Sequence, residues 1–168
     1  MKIVYRFLFL SVLLIFVTNC ARTGRPEGGP KDEKAPLFVT SIPPYETVKF
    51  NKKEIKINFN EYIVLKDLNS QLVVSPPMKN PPLISPQGSP SEYIKIEILD
   101  TLQPNTTYIF NFGNAVQDNN EGNKLENFKY VFSTGTYIDS LKTSGSIKDA
   151  KLIEAPKNIN ILLYRLDS

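Results

Sequence analysis

Three features of the sequence predict an all-β chain of two packed sheets. Apolar and polar residues alternate with a period of two rather than 3.6, the alternating stretches are separated by turns rich in proline, asparagine and glycine, and no amphipathic helical stretch follows residue 36. In "EIKINFN", Ile55, Ile57 and Phe59 share one face, while Glu54, Lys56 and Asn58 share the other. "EYIKIEIL" places Ile94, Ile96 and Ile98 opposite Lys95 and Glu97. "TYIFNF" aligns Tyr108, Phe110 and Phe112, and "FKYVFS" aligns Phe128, Tyr130 and Phe132. Each pattern is a strand with one buried face. "SQLVVSPP" is a further candidate strand, ended by Pro76 and Pro77. It runs into "SPPMKNPPLISPQGSP", read as a long irregular connection because proline neither donates to a ladder nor leaves its neighbour free.

Composition limits the chemistry. The 168 residues suffice for one ordinary domain and a little more. The formal charge is +3, but Lys2 and Arg6 fall in residues 1–19, which hold no acid, leaving 18 basic against 17 acidic side chains in the remainder. A nucleic-acid surface needs a basic patch on the folded part, so nucleic acid is not an expected partner. Histidine is absent, which removes histidine general bases, Ser-His-Asp and Cys-His arrangements and the usual zinc sites.

The N-terminus reads as an address. Lys2 and Arg6 precede Phe7–Val17, an eleven-residue apolar run broken only by Ser11. A charged start and a short apolar stretch make a secretory signal. The run is too short for a hydrocarbon core about 30 Å thick, which takes about 20 residues. The alternative reading is a buried N-terminal helix. The run gives way at once to "ARTGRPEGGPKDEKAP", residues 21–36, which has no large apolar residue and reads as a flexible tether. At the junction stands Cys20, the single cysteine of the chain, with no partner for a disulfide.

Val17-Thr18-Asn19-Cys20 resembles the lipobox of bacterial lipoproteins, with Asn19 departing from the usual small residue. The resemblance implies cleavage between Asn19 and Cys20, a diacylglycerol thioether on the Cys20 thiol and an acyl group such as palmitate on its new amine. No other cofactor is expected. Several acyl chains give a stable anchor where one chain is marginal. Ala21 resembles the second residue of lipoproteins sent to the outer membrane, facing either the periplasm or the cell surface.

"LQPNTTY", Leu102 to Tyr108, resembles the corner before strand F of fibronectin type III and related Ig-like domains. Pro104 and Asn105 make the turn, Leu102 plugs the end of the core, and Tyr108 packs inward with its hydroxyl on upstream backbone, a tyrosine corner. Around it the order of motifs resembles the bacterial Ig-like domains of S-layer-type proteins. These are the Ser-x-Pro-Pro opening at Ser41–Pro44, Phe-x-Glu at Phe59–Glu61, the corner, Asp-x-x-x-Gly-Asn at Asp118–Asn123, and Phe-Ser-Thr-Gly at Phe132–Gly135. The resemblance implies a non-catalytic Ig-like β-sandwich over residues 37–136, following a signal peptide (1–19) and a lipidated tether (20–36). In 137–168, Gly145–Asp149 and Asn160–Tyr164 resemble the opening strands of a second β domain that the chain does not complete; extension of the first sandwich is the alternative.

The remaining candidate sites each have a plain structural alternative. Asp118, Asn120 and Glu121 offer hard oxygen ligands suited to calcium, but a hairpin loop favours the same residues. Glu61 is a strand-face acid for which no motif picks out the second carboxylate a glycosidase needs. Asp100-Thr101-Leu102 and Asp139-Ser140-Leu141 resemble an O-glycosylation acceptor pattern of some bacterial envelopes. The function expected is a lipid-anchored spacer or interaction module, not an enzyme, with envelope proteins or glycans as possible partners. The alternative is an accessory domain of a larger envelope enzyme.

Overall fold

A computed structural model describes residues 3–5, 29–140, 145–151, 153–154, 159 and 161. Asn19 and Cys20 lie outside the described residues, as do Asn160 and 162–164. Eight strands form in the order β1 Phe38–Ile42, β2 Glu54–Leu65, β3 Val73–Ser75, β4 Leu83–Ser85, β5 Ser91–Glu97, β6 Thr107–Gly113, β7 Val116–Asp118 and β8 Phe128–Ser133. One sheet has the order β1-β2-β5-β4, with β7 paired to the far half of β2; the other has the order β3-β6-β8. All these strand pairs are antiparallel.

The alternation found in the sequence becomes the two inner faces. The larger sheet contributes Ile55, Ile57, Ile63, Ile84, Ile94 and Ile96, all buried. The smaller one contributes rings: Tyr108, Phe110, Phe112, Tyr130 and Phe132. Three strands must fill the space opposite a wider sheet, and rings supply more volume per position. Phe132 sits among Phe50 at 4.0 Å, Tyr108 at 5.4 Å, Phe110 at 6.0 Å and Tyr130 at 6.3 Å between centroids.

The chain enters in one sheet and crosses to the other. After β1, Ser41–Pro44 turns the backbone through a cis Ile42–Pro43 bond. Residues 46–50 then run beside β8, with Thr47 bridging Phe132 in parallel. Glu46 N–H donates to Val131 O at 2.9 Å, Ser133 N–H to Thr47 O at 2.9 Å, and Phe50 N–H to Ser133 O at 2.9 Å. This segment covers the outer edge of β8.

Several short elements differ from the sequence reading. "SQLVVSPP" is strand only from Val73; Leu68–Gln71 forms a single helical turn, α1, after Asp67 in a left-handed conformation (φ 50°). One turn is too short to show a helical period. The connection after Pro77 is not wholly irregular, since Leu83–Ser85 pairs with β5. Gly145–Asp149, expected as a strand, forms no strand pairing among the described residues. It leads into a turn in which Ile153 N–H donates to Asp149 O and Asp149 N–H to Glu154 O, both at 2.9 Å.

Candidate functional site

The corner is built as its residues require. Tyr108 is buried, and its Oη accepts a hydrogen bond from Gln103 N–H at 2.9 Å. Pro104 and Asn105 make the reversal, Asn105 with φ 49°, and Leu102 packs against the core from its rim. Thr134 Oγ1 donates to Gln103 O at 2.7 Å and accepts from Thr106 N–H at 2.9 Å, so the end of β8 clasps the same turn. Gly135 completes the clasp: a Cβ there would lie 3.1 Å from Asn105 Cα.

A second tyrosine does comparable work, and sequence reasoning gave it no partner. Tyr130 Oη donates to Pro43 O at 2.8 Å, fastening the Ser41–Pro44 crossover to β8. Burial pushes its phenol up to about 12. The available signal was a central inward tyrosine in an otherwise Phe-rich strand, since a buried phenol needs a partner.

The loop after β7 is organised by Asp118, only 2% exposed. Its Oδ1 accepts from the backbone N–H groups of Asn120 at 2.8 Å, Glu121 at 2.6 Å and Gly122 at 3.1 Å, and its Oδ2 from Asn123 at 2.7 Å. Burial alone would raise this carboxyl, but the four donors outweigh it and hold it below the ordinary aspartate range. The carboxylate thus faces a ring of N–H dipoles, a polarity that favours an anion in the centre and disfavours a cation. Asn120 and Glu121 are exposed, and no group of three His, Cys, Asp or Glu side chains comes together among the described residues.

The other candidates are separate. Glu61 is half-buried on β2. The Asp100 carboxylate holds Asn80 through its backbone N–H at 3.0 Å and side-chain amide at 2.6 Å, while Thr101 and Ser140 are exposed. Tyr62 and Tyr93 face solvent, with Lys56 Nζ 4.2 Å from the Tyr93 ring centroid. An apolar groove of about 370 Å³ opens where β3 and β4 face each other across the two sheets. Leu68, Leu72, Val74, Met78, Pro82 and Ile84 line it.

The sequence profile of the bacterial Ig-like domain matches residues 32–134. The chain belongs to the bacterial Ig-like domain family. No curated protein matches it. The Ig-like domain accounts for the placement of the motifs. The Ser-x-Pro-Pro opening is the crossover bound by Tyr130, the Leu-x-Pro-x-Thr-x-Tyr stretch is the corner, and Asp-x-x-x-Gly-Asn is the Asp118 loop. Within this Ig-like domain the recurrent motif residues therefore hold turns to the sandwich. No helix among the described residues is long and apolar enough to cross a membrane.

Proposed function

We propose that this chain is a lipid-anchored protein of the bacterial cell envelope whose Ig-like domain spaces, presents or binds other envelope components. The observation that carries this reading is an order of parts. A charged start and a short apolar run end at the one cysteine, a polar tether follows, and a family match to an Ig-like domain begins at residue 32. A thiol at that junction is where acyl chains attach, and a rigid sandwich with its loops bound back to the sheets suits a spacer or a recognition body. Ala21 favours the outer membrane. No catalytic role is assigned to this segment, in keeping with its membership of a typically non-catalytic family. The resemblance of Asn160–Tyr164 to a strand of a further β domain supports a second reading, in which the Ig-like domain is an accessory unit of a larger envelope enzyme or glycan-binding protein.

Cells producing the full chain are labelled with radioactive palmitate and the mature N-terminus is read by mass. The wild type is expected to carry label and to begin at Cys20, and Cys20→Ala to lose both. An unlabelled product that still begins at Met1 would sink the proposal.

A further inference from the structure

We propose that the cleft between α1 and the stretch after β4 binds a primary ammonium carried on an aliphatic chain. The apolar groove between β3 and β4 does not end at its apolar walls. It runs into a second cleft of about 390 Å³, and the two share Leu68, Asn69 and Gln87 as lining. At one end stand aliphatic side chains, Leu72, Val74, Met78, Pro82 and Ile84 among them. At the other end Asp67, Ser70 and Gly88 join the shared amides. Each part has the size of a small-molecule pocket, about 300–1,000 Å³. The opening exists because β3 and β4 are three residues long and are stopped by Pro76 and Pro86. Leu72, Val74 and Met78 are therefore only partly buried against the core.

The polar end selects the head group. Asp67 is the one charged residue lining either part, so the cleft carries a negative charge and no positive one. Its carboxylate has no hydrogen bond or ion pair among the described residues. The Asn69 amide is equally unengaged there. Gln87 uses only its Nε2, which donates to Ile84 O at 3.0 Å and leaves the carbonyl oxygen as an acceptor. Ser70 Oγ donates its proton to Asp67 O at 2.9 Å, so it too offers the cleft an acceptor. A carboxylate among neutral oxygen acceptors is complementary to an ammonium, which has three donors and no acceptor. An anionic head would meet the Asp67 charge, and a planar ring would find no aromatic side chain to stack on. A charged aliphatic chain lies on proteins in this way, its stem against apolar surface and its head toward water. The inference rests on the reading that the domain binds an envelope component, and its failure would leave the lipid-anchored spacer standing.

The test uses the full chain in cells and a hexylamine that carries a diazirine at the end remote from its nitrogen. Two control probes replace the amine by a hydroxyl and by a carboxylate. After illumination, adducts are mapped by mass, and those of the amine are expected on the aliphatic lining between Leu68 and Ile84. Their yield should exceed that of either control by about fivefold, the scale of one solvent-exposed ion pair. Asp67→Asn keeps the shape and should bring the amine down to the hydroxyl probe. Asn69→Asp adds a second carboxylate and should raise the amine yield by a similar factor, a gain that misfolding cannot produce. Asp67 and Asn69 are both exposed, so the thermal midpoint of each variant checks that the domain still folds. Adducts outside this lining, equal yields from the three probes, or an amine yield indifferent to either substitution would each overturn the proposal. None of these outcomes depends on whether Cys20 carries lipid.

Discussion

Asp118 is the residue whose chemistry is most tightly specified. Four backbone N–H groups point at one carboxylate in a site closed to water, so the charge and the loop conformation support each other. Asp118→Asn keeps the shape and loses the charge, and one end of the amide becomes a donor facing donors. Hydrogen bonds to a charged group contribute about 1.5–3 kcal/mol each, so a loss of at least about 2 kcal/mol is expected in urea unfolding at pH 7. The pH dependence has a definite sign. The folded carboxyl titrates below its ordinary 3.8, so its stabilisation is complete above that value and is lost as the pH falls through the lower folded value. The wild type should therefore lose its advantage over the variant below about pH 3.8, and parallel stability curves through that window would refute the role assigned to the charge. Tyr108 and Tyr130 act without charge: each holds a turn by one hydroxyl, one accepting and one donating.

Strands with a clean alternation were legible in the sequence because burial on one face selects residues at every second position. Ile55, Ile57 and Phe59, Ile94, Ile96 and Ile98, Tyr108, Phe110 and Phe112, and Tyr130 and Phe132 all point inward as their spacing requires. The corner was legible too, because a proline turn and an inward tyrosine are set by local geometry. Short elements were not: β4 has one buried residue, Ile84, and β7 only three residues, so neither contains a repeat. Their place is decided by β5 and β2, far away in sequence. The crossing from β6 to β7 shows how such a junction is enforced. Gly113 has φ +54°, a region that favours glycine, and a Cβ there would lie 2.6 Å from Gln71 Oε1. That oxygen accepts from Asn114 N–H at 3.1 Å, tying α1 to the junction. Gly113→Ala must strain the backbone and displace Gln71, so a loss of about 1–3 kcal/mol is expected by thermal unfolding. Gln71→Ala, which clears the space, should cost less and should lessen the further effect of Gly113→Ala; strictly additive effects would show that the two residues do not act together.

Across the whole sandwich, stability rests on an unequal division of volume, with isoleucines and the single ring of Phe59 on the wide sheet and mostly rings on the narrow one. Phe132 lies where the division is most demanding. It touches Phe50 from the crossover segment and Tyr108 from the corner, so one ring joins the core to both devices that hold the loops. Phe132→Ala leaves a cavity that Phe110 and Tyr130 cannot close, because each is fixed on its own strand or by Pro43. The expected cost is about 3–5 kcal/mol, a large share of the about 5–15 kcal/mol that holds an ordinary domain together. Because the crossover and the corner share this ring, the loss should appear in a single cooperative transition with an unchanged denaturant slope, shifted to lower urea. Phe132→Leu refills part of the space and should recover about half of the loss. A cost below about 1 kcal/mol would mean the surrounding rings repack freely, and the contacts around Phe132 would then not be what binds the two sheets, the crossover and the corner into one body.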